Sequence, residues 1–195
     1  MDTLERCDTI CVPDGEFSPE DQKTQNWTSL LIADILKAGI MTGLLFLFLI
    51  TFVVQGFKVY GSCMEPNLET GQRVLGNKFV YRFEQPSRGD VIVFRYPKDP
   101  SRIYIKRVVG LPGETIEIRN GEVFVNNQKL DESYRKLTAH GDYPKTRIGK
   151  NSLFVLGDYR DTSNDSRYWG ELPMENIRAK IWLRYWPVAK LEVLK

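Results

Sequence analysis

The stretch Gly61-Ser62-Cys63-Met64-Glu65-Pro66-Asn67-Leu68 sets a hydroxyl and a thiol side by side between a glycine and a proline, residue types that make sharp turns. A nucleophile presented on a turn needs a base within reach. The chain has one histidine, His140, in a polar stretch between Thr138 and Tyr143 that reads as a surface loop. The base is therefore expected to be something other than imidazole, and Lys106 is the candidate. Alternation over Ile103 to Val109 puts Lys106 on one strand face with Tyr104 and Val108, while Ile103, Ile105, Arg107 and Val109 take the other. Burial there would disfavour the ammonium and leave an amine able to accept a proton. A strand lysine that lays its stem on the sheet and keeps its amine in water is the simpler account of the alternation alone.

A third stretch, Gly157-Asp158 through Gly170, is dense in Asp, Ser, Asn and Arg and closes with Tyr168-Trp169-Gly170. Asx turns and arginine–carboxylate pairs would hold such a loop rigid, although a structured surface loop has the same composition. A Ca²⁺ loop fits less well. Asp161, Ser163 and Asp165 alternate as first ligands would, but Ser166 and Leu172 stand where a glycine and a closing glutamate are needed. Cys7 and Cys11 form a lone pair with no second pair and no nearby histidine, short of a four-ligand site, and read as reduced thiols in a tail. No cofactor and no metal is expected.

These candidates need elements to position them. Residues 1–28 are polar and acidic, broken by Pro13, Gly15 and Pro19, and read as a tail without apolar period. Residues 29–57 hold the only long apolar run. Ala38 to Val54 carries no charge, and Asp34 and Lys37 lie just before it. The run is apolar all round, which favours a transmembrane anchor over a buried core helix. A cleavable signal peptide fits poorly, because the preceding segment is long and acidic. Lys and Arg on the two flanks nearly balance and leave the orientation weakly signalled.

Residues 58–195 change to a period of two. Strands are expected over Arg73–Lys78, Val91–Phe94, Ile103–Val109, Thr115–Arg119, Glu122–Asn126, Ser152–Leu156 and Lys180–Trp186, with a type I′ hairpin turn at Asn120-Gly121. Residues 130–150 are polar and read as an excursion. The fold class is mainly β: antiparallel folded sheets or a partly closed barrel behind one N-terminal transmembrane helix. A net charge of +2, with Lys and Arg spread through the chain beside Asp and Glu, shows no concentrated basic run, and nucleic acid is not expected as a partner.

Taken together and in order after an apolar helix, the Cys63 turn, Tyr104-Ile105-Lys106-Arg107-Val108-Val109-Gly110-Leu111-Pro112-Gly113-Glu114 and the Gly157–Gly170 loop resemble the type I signal peptidases, or leader peptidases. Arg88-Gly89-Asp90-Val91-Ile92-Val93-Phe94 resembles a further box of that family. The resemblance spans roughly residues 35 to 187. It implies an endopeptidase of the serine–lysine type, in which lysine replaces histidine as base. Its nucleophile position is Cys63 and its base is Lys106. Ser163 would orient the lysine, and Asp165 and Arg167 would steady the site by pairing. The implied partners are preprotein signal peptides, cut after small residues, and membrane lipid, which Phe57, Trp182 and Trp186 are candidates to touch. The implied location is the bacterial cytoplasmic (inner) membrane, single-pass, with the catalytic domain on the outer face.

The sequence departs from the family pattern in four places. Cys63 replaces the usual serine, Asn67 a threonine and Tyr159 an asparagine, and Gly61 stands where some members carry a hydroxyl residue that helps bind the oxyanion. Losing one such donor costs about 3 kcal/mol in other enzymes. A thiol is more acidic than a hydroxyl, so Cys63 beside Lys106 would form a thiolate–ammonium pair and attack as an active variant. The alternatives are a catalytically impaired homologue that binds signal peptides as added strands, an isolated serine-to-cysteine substitution, natural or engineered, in a serine enzyme, and Ser62 as nucleophile. A self-cleaving repressor of the same class would be soluble and carry a DNA-binding helix pair, which this sequence lacks.

Overall fold

A computed structural model of the chain describes residues 19–135 and 141–194; Cys7, Cys11 and His140 lie outside them. The chain divides between Phe48 and Leu49 into two compact units. The first is helical. Helix α1 covers Pro19–Val53, and proline suits the first helical position, where its missing N–H is not needed. The helix thus begins inside the segment expected to be a tail and stops short of residue 57. It stops because Val54 already pairs with Asn77 in a sheet, and the Lys78 N–H takes the Val53 carbonyl at 3.0 Å. Trp27–Val53 is long and apolar enough to cross a membrane. At ~1.5 Å per residue it spans about 40 Å, against ~30 Å of bilayer hydrocarbon. Its two charges, Asp34 and Lys37, sit one turn apart and pair at 3.4 Å.

Among the described residues the second unit holds twelve strands. In chain order they are β1 (Val54–Lys58), β2 (Arg73–Asn77), β3 (Val91–Tyr96), β4 (Asp99–Gly110), β5 (Thr115–Arg119), β6 (Glu122–Val125), β7 (Gln128–Lys129), β8 (Tyr143–Arg147), β9 (Ser152–Leu156), β10 (Leu172–Pro173), β11 (Ile177–Trp186) and β12 (Glu192–Val193). All pair antiparallel in two sheets. The larger runs β1-β2-β11-β3-β4-β9-β10 with β12 on β11, and the smaller runs β7-β6-β5-β8. Neither closes, so the architecture is two open sheets and not a closed barrel.

The pattern of the central strands explains the core. In β3, Val91 and Val93 pack with Met64, Leu68, Val74 and Ile181, while Ile92 and Phe94 pack with Val108, Leu153, Val155 and Leu172. The unbroken run Val-Ile-Val-Phe is thus a strand buried on both faces. The β5–β6 turn has positive φ at Asn120 (50°) and Gly121 (76°), as a type I′ hairpin requires. Phe57 packs against the first of these clusters, whereas Trp182 and Trp186 are exposed.

Residues 141–150 are more than an excursion. β8 pairs with β5 at the edge of the smaller sheet, and the next residue, Ile148, is only 2% exposed, among Val109, Ile116 and Phe154. An edge strand with one wet face needs few apolar residues, which is why its composition reads as loop. Ile148→Ala is expected to lower the unfolding free energy by about 2–5 kcal/mol in urea titration. A change of under ~0.5 kcal/mol, typical of a surface position, would restore the excursion reading.

Candidate active site

The Cys63 turn is anchored from below. Glu65 N–H donates to the Ser62 carbonyl (3.0 Å) and Leu68 N–H to that of Met64 (2.8 Å). Met64 and Leu68, four residues apart, are completely buried in the cluster under β2, β3 and β11. Two buried side chains on one turn fix its register, and Cys63, just ahead of them, is left half-buried at the surface.

Lys106 lies where one sheet ladder ends. β9 pairs with β4 only from Arg107↔Leu156 to Gly110↔Phe154, while β3 continues along the other edge of β4 past Lys106. Lys106 is 3% exposed, so the water-facing reading of this lysine does not hold. Its Nζ donates to Cys63 Sγ at 2.9 Å and to the Ile105 carbonyl at 3.1 Å, and lies 5.5 Å from the centre of the Tyr104 ring. The thiol also faces the Ile105 carbonyl, at 3.8 Å. Ser62 turns elsewhere: its hydroxyl donates to Thr162 Oγ1 at 3.2 Å. The amine is therefore placed to move a proton on or off the sulfur and not on or off Ser62.

On the β9 side of the same ladder end stands Gly157. A Cβ there would fall 2.3 Å from Ser163 Oγ and 2.6 Å from the Cys63 carbonyl oxygen, so only glycine lets the Cys63 turn and the loop close on each other. The Tyr159 N–H then donates to that Cys63 carbonyl (3.1 Å). Ser163 is buried at this junction, and its hydroxyl makes no hydrogen bond among the described residues. Thus the side chain expected to orient Lys106 lies beside the site without touching the amine.

Asp165 is fully buried and holds the loop. It caps α2 (Ser166–Trp169), accepts the Gly157 N–H at 3.1 Å, and takes Arg167 in a forked pair at 2.8 and 3.0 Å. Burial works against the Arg167 charge, but the hydrogen bond and charge of Asp165 outweigh it and raise the guanidinium above its ordinary value. Asp165 is thereby committed to the α2 N-terminus, the Gly157 N–H and Arg167.

Three further residues escaped the sequence reading. Arg107 donates through Nε and Nη2 to both oxygens of Asp158, at 2.8 and 2.7 Å, and Asn67 Nδ2 donates to Asp158 at 2.7 Å and to the Tyr134 carbonyl at 2.8 Å. Each neighbours a site residue in sequence: Arg107 follows Lys106, Asp158 follows Gly157, and Asn67 lies four residues after Cys63. The only signal was Asn67 in place of threonine, and its amide reaches two acceptors at once. Desolvation works against the Arg107 charge, yet the hydrogen bond and charge of Asp158 raise it above its usual value. The guanidinium also lies 4.3 Å from the centre of the Tyr134 ring. Burial, with the charge and hydrogen bond of Glu132 added, raises the Tyr134 phenol well above its ordinary value and keeps it a donor to Glu132 (2.8 Å).

A cleft of about 260 Å³ opens in front of the thiol, walled by Phe57, Val59, Val93, Ile105 and Lys106. Along Ile103–Lys106 the β4 edge facing away from β3 has no strand partner among the described residues. The arrangement can therefore present a nucleophile and a base to an extended chain laid against a free sheet edge.

Asp158→Ala leaves the buried Arg107 unpaired and is expected to cost about 3–5 kcal/mol of stability in urea titration. Lys190→Ala breaks the exposed Lys190–Glu69 pair (2.7 Å), and should cost no more than about 1 kcal/mol. Equal losses would reject the clasp.

The comparisons with known proteins agree with one another. A family model described as signal peptidase, peptidase S26, matches residues 32–186. A probable signal peptidase I-2 of Synechocystis sp. is 33% identical over 185 residues, covering 92% of this chain and 80% of that protein. Signal peptidase I of Leptolyngbya laminosa is 38% identical over 148 residues, covering 72% and 73%. Signal peptidase I of Bacillus caldolyticus is 39% identical over 150 residues, covering 70% and 81%. With the apolar helix, the antiparallel sheets and the turn bearing Cys63 already in place, these matches establish that the chain belongs to the S26 signal peptidase family.

Proposed function

We propose that the protein removes signal peptides from exported preproteins through Cys63 and Lys106, as a single-pass protein of a bacterial cytoplasmic membrane with its catalytic unit on the outer face. The observation that carries this reading is the 2.9 Å contact between Lys106 Nζ and Cys63 Sγ. The family membership and the relatives' printed names support signal peptides as the substrate class, and Trp27–Val53 supports the anchor.

In this mechanism the Lys106 amine takes the thiol proton. The sulfur attacks the scissile carbonyl, whose oxygen turns towards the Cys63 N–H, a group that donates to no protein acceptor among the described residues. With Gly61 lacking a hydroxyl, that N–H carries most of the oxyanion charge. The Lys106 ammonium then protonates the departing amine, leaving the signal peptide as a thioester on Cys63. Lys106, neutral again, activates the water that hydrolyses the thioester. The substrate lies along the free edge of β4 at Ile103–Lys106, with small side chains in the 260 Å³ cleft. Ser163, whose hydroxyl has no partner among the described residues, is the residue proposed to orient the amine, with Asp165 and Arg167 keeping the loop closed.

One observation favours a second reading, in which the site binds signal peptides without efficient cleavage: the Ser163 hydroxyl does not hold Lys106, so the amine is positioned by sulfur, a backbone carbonyl and the Tyr104 ring. A preprotein assay on the full chain separates the two. Turnover is expected with the sequence as it stands, lost with Cys63→Ala and reduced ~10²-fold or more with Lys106→Ala. Mass spectrometry of the quenched reaction should find a signal-peptide adduct on Cys63. Cleavage surviving in Cys63→Ala would reject this nucleophile. Saturable signal-peptide binding with no turnover, restored by Cys63→Ser, would establish the second reading.

A further inference from the structure

Beside the peptide cleft lies a larger one, of about 760 Å³, and the two share the apolar wall of Phe57, Val93 and Ile103. The charge of the larger cleft is one-sided. Lys78, Arg82, Arg95 and Arg178 line it against a single carboxylate, Glu175. They come from separate places in the chain: the residue after β2, the 3-10 turn Val80–Arg82, β3 and β11. None of the four forms an ion pair with a carboxylate among the described residues. Lys180, on β11 with Arg178, is by contrast paired with Asp90 at 2.7 Å. Four cations converge on one concave surface, which focuses a positive potential. The Arg82 guanidinium lies 4.7 Å from the centre of the Phe79 ring, a contact that holds the planar fork in place and leaves its N–H groups for an anion.

The same cleft carries an apolar feature that a soluble anion would not need. Phe52 lines it, is 53% exposed, and belongs both to the last turn of α1 and to the compact unit that contains the cleft. Trp27–Val53, which ends at this point, is long and apolar enough to cross a membrane. Phe52 thus puts the end of an apolar helix on the wall of the cleft, and a helix that crosses a bilayer ends where the bilayer presents its phosphates.

We infer that this cleft binds the headgroup of an anionic phospholipid, its phosphate taken by Lys78, Arg82, Arg95 and Arg178 and its upper acyl chain lying against Phe52. Arginine matches phosphate geometry through paired N–H donors, and converging basic groups at a membrane surface select anionic over zwitterionic lipid. The inference does not depend on the chain's catalytic chemistry. It gives the basic cleft a role of its own: holding the neighbouring peptide cleft at the lipid surface.

The test is a titration of the full chain in zwitterionic detergent with dihexanoyl-phosphatidylglycerol, with bound lipid counted by native mass spectrometry. One lipid should be retained saturably. Dihexanoyl-phosphatidylcholine and glycerol 3-phosphate should each bind about tenfold more weakly or worse. All four cationic side chains are exposed, so Arg82→Gln/Arg178→Gln should keep the parent melting temperature while losing ~tenfold or more in phosphatidylglycerol affinity. Lys78→Gln and Arg95→Gln should give smaller losses singly. Lys145→Gln/Lys150→Gln, an equal charge change on exposed lysines outside the cleft, should bind as the parent does. Equal retention of the two lipids, parent-like binding by Arg82→Gln/Arg178→Gln, or an equal loss in the Lys145/Lys150 control would overturn the assignment. So would glycerol 3-phosphate binding as tightly as the lipid, which would make the cleft a site for a soluble anion.

Discussion

The arrangement depends on the buried clasp of Arg107, Asp158 and Asn67. Three segments far apart in sequence must meet within hydrogen-bonding distance before any chemistry is possible, and each gives one member to this clasp. Arg107 and Asp158 are 51 residues apart and form a forked ion pair almost out of water. Asn67 adds a third hydrogen bond to the same carboxylate. Such a pair adds little net stability over an apolar one, because desolvation offsets most of the attraction. What it supplies is register. A one-residue slip of β4 or of the loop would leave a charge buried and unpaired, at a cost of several kcal/mol. Since Lys106 and Gly157 are the immediate neighbours of the paired residues, fixing the pair fixes them.

The second constraint is steric. The β4–β9 ladder stops at Arg107↔Leu156, and the two residues just beyond the stop are Lys106 and Gly157. On the β4 side an amine fills the space; on the β9 side the absence of a Cβ admits the Cys63 carbonyl and Ser163. The end of the ladder also frees the β4 edge at Ile103–Lys106. One truncation of sheet pairing thus yields a place for the sulfur, a buried partner for it, and an open backbone edge beside both.

The wider surface follows from the apolar helix. The helix that ends at Val53 passes straight into β1, and β1 leads within a few residues to the Cys63 turn. The two clefts flanking β1 and the free edge of β4 are consequently close in the chain to the apolar span. One is apolar and carries the thiol; the other gathers unpaired cations around aromatic rings.

By itself the sequence determined the identities and the order: a thiol on a glycine–proline turn, a lysine on an alternating strand, an Asp/Ser/Arg loop, and an apolar span before them. It also marked the central strands, because Val91–Phe94 is an unbroken apolar run and Thr115–Val125 alternates, and the Asn120-Gly121 turn, because few residues tolerate positive φ. It did not reveal β8 or the burial of Ile148, since an edge strand needs few apolar residues. Nor did it extend the helix back to Pro19, because a polar stretch carries no apolar period. Alternation left Lys106 open between a wet and a buried amine. Only the tertiary structure decided that, by ending β9 at Leu156 and bringing Cys63 to 2.9 Å from the amine. It alone gave Arg107, Asp158 and Asn67 their common purpose, because a hydrogen bond between residues this far apart leaves no trace in local spacing. It also left the Ser163 hydroxyl buried beside the site without a partner among the described residues, a detail of local packing that no sequence pattern encodes.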